Sequence, residues 1–530
     1  MSQTIPSKFI SLVPTNGNQF TGGQGNKIIF ELEPSLGFVK GRDSYLVLKV
    51  LNSDTTERQR TMLNNLAGVD SLISRVDIYS LKTGQHLETL QNYNQWSCIE
   101  NQYFYDDKTN IRAMSGVGSE AYAYSVTDSN GTQTPTAPLA NSPNDCVLSP
   151  IQNAGVSGAA VYNYRVFTTP LKCGIFRWWD DEKLTPVLNM LGLRIEITLE
   201  DPKRALLNVE AVSAAGVAHS LVGDGTADSG FPCQAINNSD TIESTLVFTA
   251  GNEENDCGFA IGNVVHLKNS ADALITNAAG TSFTIIDINA TGANEASIQF
   301  DVASTGGDSG AGVHMYLTND TRAYKVEPEF RVLTVAPQDV SGVMDGVDYE
   351  FTSYDLYFDT LFTSQLKHQV DIPCVQTRAL AIMSQFEDMT FSEGRQYSSY
   401  FSGSQPTPMN CNSVQYFIKG RLAPVRAYDP RATKEKIIAE HELVKALTTI
   451  NKEPQDLGQA DKFNLNNYTN TWVVARELAR GNYFYDLSDA EPQIRLGFSG
   501  TRTNNLTINT AVWSKKIVVA DPQQGIRVIL

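Results

Sequence analysis

The chain has 530 residues, several times the roughly 100–200 of an ordinary domain, so two or three domains are expected. Hydrophobic residues make up 41% and charged ones 19%, with 38 glycines and 21 prolines, a composition that excludes a coiled coil and a disordered chain. Forty-one Lys+Arg against 58 Asp+Glu give a net charge of −17, which sets the bulk surface against phosphate backbones and anionic lipid.

The opening stretch, MSQTIPSKFISLVPTNGNQF, has neither the basic start nor the apolar run of a secretory signal. No window approaches the ~18 apolar residues of a membrane-spanning helix. Neither end carries a Lys/Arg block, so no genome-binding arm and no direct nucleic-acid motif are expected. Glycines crowd between Asn16 and Lys27, and Gly17 to Gly22 mimics the start of a phosphate loop. Gly23 stands where the lysine belongs and no helix pattern follows, so the segment reads as a turn entering a strand.

Strand patterns then dominate. Lys27–Glu33, Ser44–Leu51 and Ser71–Leu81 are β-branched or aromatic runs separated by Gly, Pro, Asn and Asp, at the short spacing of an all-β sandwich. A weak helical pattern covers Leu90–Tyr105. From about 111 to 160 the chain is rich in Ser, Thr, Gly, Asn and Pro and reads as a long surface excursion.

Strands resume at Val161–Leu171 and Leu193–Glu200. In the second, Leu193, Ile195, Ile197 and Leu199 share one face, expected buried, while Arg194, Glu196, Thr198 and Glu200 share the other, expected wet. Just before it, following Trp178 and Trp179, Asp180, Asp181 and Glu182 are the best remaining acid/base candidates in the chain. A glycosidase needs two carboxyls about 5 to 9.5 Å apart on either side of the scissile bond, with sugar-stacking aromatics nearby. Adjacent carboxylates do not by themselves flank a bond, so the segment reads as the turn feeding the strand, with the tryptophans packed at a seam.

From 207 to 321 the texture changes to Ala, Gly, Asn, Ser and Asp, with Lys268 the lone basic residue between Arg204 and Arg322. Four short strand patterns there predict an inserted small β domain. Tyr349–Phe362 restarts the larger pattern, with Tyr354, Leu356 and Phe358 on one face. It continues through Ser413–Leu422, Pro492–Gly500, Asn504–Asp521 and Ile526–Leu530. The best helix is Asp429–Ile450, with Ile437, Ile438, His441, Leu443, Val444 and Leu447 as its apolar stripe; a weaker one covers Asn470–Arg480.

Searches for reactive groups exclude more than they find. HELVK at His441 lacks the second histidine of a zinc protease, since Lys445 occupies its place. His86, His219, His266, His314, His368 and His441 offer no ligand spacing, and no nucleophile elbow is present. The seven cysteines, Cys98, Cys146, Cys173, Cys233, Cys257, Cys374 and Cys411, form no C-x-x-C pair and read as reduced thiols of a cytosolic product. Sequons at Asn130, Asn237, Asn289, Asn319, Asn467 and Asn505 fit chance in an Asn/Thr-rich chain without a leader. No enzyme, cofactor or metal is expected.

Four stretches together resemble a known family. Pro14–Val50, Leu184–Asp201, Tyr349–Val370 and the final IRLGFSG…NNLTINTAVWSKKIVV are similar to strands of the double jelly-roll major capsid proteins of small double-stranded DNA viruses. The similarity is greatest to those of Polinton-like viruses and virophages, and more distant to those of nucleocytoplasmic large DNA viruses and adenovirus-type hexons. It implies two tandem eight-stranded antiparallel jelly rolls, with a first roll at 1–206, an inserted domain at 207–321 and a second roll at 322–530. The insert departs from the family's minimal pattern and stands either as a surface tower or woven into the first roll. The resemblance also implies homotrimeric, pseudo-hexagonal capsomers tiling an icosahedral shell, assembled inside the host cell with neighbouring capsomers, penton and minor capsid proteins as partners. A carbohydrate-binding, lectin-like fibre or penton protein is the alternative, and it would need Trp178 and Trp179 in an open cleft.

Overall fold

The computed structural model describes residues 7–103, 164–176, 184–208, 230–247, 257–336, 347–388, 411–429, 435–450, 473–479 and 483–529, with short strand pairs between 122 and 161 and between 211 and 219. Within those ranges 24, 56–60, 64–66, 260, 272, 292–294, 306, 309–311, 318–320, 501–504 and 522–524 are left out. The principal strands of the opening half are β1 (Ser7–Leu12), β2 (Lys27–Leu32), β3 (Tyr45–Asn52), β4 (Ile73–Ser80), β5 (His86–Gln91), β6 (Arg165–Pro170) and β7 (Leu193–Leu199), with helix α1 (Tyr93–Tyr103) after β5.

The insert follows as β8 (Phe231–Cys233), β9 (Thr241–Glu243), β10 (Val264–Lys268), β11 (Ser282–Thr291), β12 (Glu295–Phe300) and β13 (Val313–Tyr316), in sheet order β8-β13-β10-β11-β12-β9. Its inward side chains, among them Phe231, Phe259, Leu267, Phe283, Phe300 and Met315, form a core of their own. β14 (Tyr324–Val335) then returns to the opening strands, giving two sheets, β1-β14-β3-β6 and β2-β7-β4-β5.

This order is that of a jelly roll: first, eighth, third and sixth strands in one sheet, and second, seventh, fourth and fifth in the other. The second half repeats it. β15 (Val347–Leu361), β16 (Lys367–Asp371), β17 (Ala379–Asp388), β18 (Cys411–Ile418), β19 (Arg421–Tyr428), β20 (Val474–Glu477), β21 (Gln493–Phe498) and β22 (Leu506–Asp521) pair as β15-β22-β17-β20 and β16-β21-β18-β19. A last strand, Gly525–Ile529, pairs with the end of β22. Helix α2 (Lys436–Thr449) lies between β19 and β20. Lys419 and Gly420, both at positive φ, form the two-residue turn that sets the β18–β19 register, Ile418 opposite Arg421.

Several expectations change. The first roll takes its last strand from Tyr324–Val335, beyond the boundary expected at 322, because the insert interrupts the connection between its seventh and eighth strands. The ends of the insertion meet: Arg322 donates to the carbonyl of Leu206 at 2.5 Å, and Thr321 to Asp54 at 2.6 Å. Val474–Glu477 is a strand paired with Ala381–Ser384, where Asn470–Arg480 was expected to be helical; the β-branched pair Val473 and Val474 at its start suits a sheet.

The long helix begins at Lys436, and its buried face is Ala439, Leu443, Ala446, Leu447 and Ile450, turned away from the exposed Ile438 and His441. In β7 the apolar face is buried as expected, but Glu196 and Glu200 are buried too. β7 is an inner strand, so neighbours cover its acids: Lys27 and Arg194 each reach Glu196 at 2.8 Å, and Asn94 donates to Glu200 at 2.9 Å. On β15 Tyr354 is buried, whereas Phe358, expected on the same face, is exposed beyond the end of the contact.

The separate core makes the insert a separate cooperative unit. Phe283→Ala should cost it about 3–5 kcal/mol, and hydrogen exchange should accelerate in β10–β13 while β3 and β22 keep their protection.

Candidate assembly site at the joint between the rolls

The two rolls meet where β5 and α1 of the first lie against β15 and β22 of the second. At the centre is Glu88 on β5, wholly buried. Its carboxylate accepts from the Gly174 N–H at 2.8 Å, the Ile175 N–H at 3.0 Å and the Ser353 hydroxyl of the second roll at 2.6 Å. Burial pushes the Glu88 carboxyl above its ordinary value, and the bonds from Ser353, Ile175 and Gly174 hold it back in part.

Other polar atoms pair across the same line. Tyr349 donates to the Ile175 carbonyl at 2.6 Å, Tyr354 to the Gln91 carbonyl at 2.9 Å and Asn509 to Gln95 at 3.2 Å. Trp96, Tyr354 and Trp513 form the apolar part, with ring centroids 5.0 to 6.1 Å apart in tilted and edge-on arrangements. Gly174 is required by close approach: a Cβ there would lie 2.3 Å from the Thr352 carbonyl oxygen. Beneath the joint, Lys172 pairs with Asp70, both buried, and Thr169 donates to the same aspartate at 2.9 Å. Side chains of both rolls belong to one continuous hydrophobic cluster, so the joint extends the first roll's core.

Trp178, Trp179, Asp180, Asp181 and Glu182 lie outside the described residues. The chain on either side is held at the joint: Thr185 donates to the Ile175 carbonyl at 2.9 Å, and Ile175 also receives Tyr349. His441 is exposed on α2, and the adjoining Glu442 is taken up by Arg476 at 2.6 Å and Lys445 at 3.8 Å. The glycine-rich turn leads into β2, with Asn16 bonded to the backbone of Lys27 and Ile29. Cys173, Cys233, Cys257, Cys374 and Cys411 are free and buried; burial raises the Cys173 thiol well above its usual range and Cys374 to about 11. Among the described residues, no three His, Cys, Asp or Glu side chains are grouped to hold a metal, and no helix is long and apolar enough to cross a membrane.

Neither Glu88 nor Gly174 was singled out from sequence. The one available signal was that Glu88 shares a strand face with Leu90.

Two rolls of one strand order and a buried joint between them define a double jelly-roll protein. No protein-family model and no curated protein matches the chain. Among solved structures it is similar to the Faustovirus major capsid protein, at 11% identity and TM-score 0.47 over 98% of this chain and 91% of that one. It is also similar to the mavirus major capsid protein, at 10% identity and TM-score 0.45 over 98% and 90%. A third likeness is to PBCV-1 VP54 fitted into a reconstruction of the virophage Sputnik, at 9% identity and TM-score 0.47 over 100% and 98%.

Glu88→Ala should lower the melting temperature markedly, since each buried donor it orphans costs about 1–3 kcal/mol. Because the folded-state value of Glu88 is raised, its protonation stabilises the native state. That contribution is full below the ordinary 4.5 and is lost as pH rises through the raised value. Glu88→Gln should flatten this part of the stability–pH curve, measured by denaturant unfolding across the mildly acidic range.

Proposed function

We propose that this protein is the major capsid protein of a double-stranded DNA virus, building an icosahedral shell from homotrimeric, pseudo-hexagonal capsomers. The observation that carries the reading is the duplication itself: two rolls with the same strand order are fixed side by side by a buried, hydrogen-bonded joint. Such a chain is a rigid two-lobed block, and three copies present six similar lobes, which suits hexagonal tiling. The insert, with its own core and adjacent ends, serves as a surface tower that leaves both rolls intact.

The resemblance in sequence supports a place in the virion shell, and the partners proposed with it are neighbouring capsomers, penton and minor capsid proteins. Its role is structural and calls for no cofactor. Multi-angle light scattering of the purified chain should give three times the 58.1 kDa chain mass, and negative-stain images should show hexagonal blocks. A monodisperse monomer would overturn the reading.

A further inference from the structure

Lys172 and Asp70 touch in the core of the first roll, with their side chains 1% and 0% exposed. Asp70 sits in the tight turn Gly68–Leu72 that leads into β4, and Lys172 follows β6. An amine and a carboxyl held in contact away from water are the two reactants of an amide. We propose that the Lys172 side chain condenses with that of Asp70, giving an isopeptide cross-link within the first roll. The inference is independent of how copies of the chain assemble.

The surroundings suit the reaction. Val69, Leu72, Leu171 and Cys173, the sequence neighbours of the pair, are all buried in the hydrophobic cluster, and the Lys172 N–H donates to the buried Tyr93 hydroxyl at 2.9 Å. By contrast Lys27, in its bond to Glu196, is 45% exposed, so water reaches that amine. Helix α1 packs on the Asp70 turn and brings a second carboxyl. Tyr93, Trp96 and Glu100 follow the spacing of a single helix face, and Glu100 is 4% exposed. Burial pushes the Tyr93 hydroxyl above its ordinary value, and the charges of Asp70 and Glu100 add to the push, so both acids lie around the phenol that holds the Lys172 backbone.

The step balances within the chain. Lys172 Nζ passes one proton to Asp70 Oδ2 within their bond, which leaves an amine and a carboxylic acid and removes two charges from a dry core. The Nζ lone pair then forms a bond to Cγ, and Oδ1, which already accepts the Thr169 hydroxyl at 2.9 Å, carries the charge that develops. The Cγ–Oδ2 bond breaks, and Oδ2 leaves as water, its second proton coming from Nζ by way of Glu100. No oxidant, reductant or cofactor takes part. In water such a condensation is uphill, but groups fixed in contact reach an effective concentration of about 10⁵ M or more, and the dry site protects the product from hydrolysis. The link joins residues 102 positions apart and encloses β4, β5 and α1, so the strand of Glu88 comes under one covalent constraint with the segment leading to the Gly174–Ile175 turn.

Mass spectrometry of the purified, denatured full chain should give the sequence mass less one water. Proteolysis should release a branched peptide joining the Asp70 and Lys172 segments. Lys172→Arg, which keeps the charge but offers no amine, should give the full mass. Glu100→Gln should slow formation of the bond about a hundredfold or more, followed as the loss of mass after cell-free synthesis. Melting temperature controls for folding in both variants. Full mass in the folded, unmodified chain would overturn the cross-link. Water lost without the branched peptide would overturn it equally, since a succinimide at Asp345–Gly346 gives the same change in mass.

Discussion

The geometry of the molecule depends on the buried carboxylate of Glu88. A carboxylate taken from water is costly unless its oxygens are bonded, and here the three donors come from two backbone N–H groups of the Gly174–Ile175 turn and a hydroxyl of the second roll. The set is complete in one relative placement of the rolls, because a small rotation would withdraw Ser353 and leave the buried carboxylate one donor short. The aromatic cluster of Trp96, Tyr354 and Trp513 supplies attraction but tolerates sliding. The hydrogen bonds supply direction. Gly174 follows from the same constraint, since the turn must approach the β15 backbone closely enough for Glu88 to reach it.

A fixed joint makes one rigid unit of an internal duplication. Two rolls on separate chains would lose translational and rotational freedom on meeting; on one chain that loss is largely removed by the tether. The intrachain joint can therefore be deep and continuous with the core. β19 and β1, which take no part in the joint, are largely exposed where β5 and the joint-facing part of β15 are buried.

Much of the framework was legible because period-two alternation reports a sheet with one face in a core. β2, β3, β4, β7 and β22 all fall within runs recognised from their apolar pattern. Where the environment departs from that rule, the reading failed. β1 is an exposed edge with little apolar signal. Glu196 and Glu200 look solvated by pattern, yet Lys27 from the neighbouring β2, Arg194 of β7 itself and Asn94 from α1 lie over them. β14 was assigned across a boundary because the insert separates it in sequence from β3, its partner in space. Glu88 was invisible because its partners lie 86, 87 and 265 residues away, and no local spacing reports such a convergence.

Charge limits how copies of the chain can meet. With a net −17 on each, association works against general repulsion, which salt screens only beyond a Debye length of about 8 Å at physiological ionic strength. Contacting surfaces must then be locally neutral even though the molecule is not. The first-roll edge is locally balanced, with Glu329 matched by Arg331 and Glu327 by Lys49, and the bonds from Arg331 and Ser11 hold Glu329 below the usual carboxylate range. β19 carries Arg421 and Arg426 and no acid, with Arg426 3.8 Å from Glu435. The acidity of the insert, whose sole lysine, Lys268, lies over Tyr316, is carried by a module with its own core, so its charge does not have to be accommodated within either roll. In any association of copies, repulsion concentrated in the insert and balance at the roll edges would together disfavour contact through the insert.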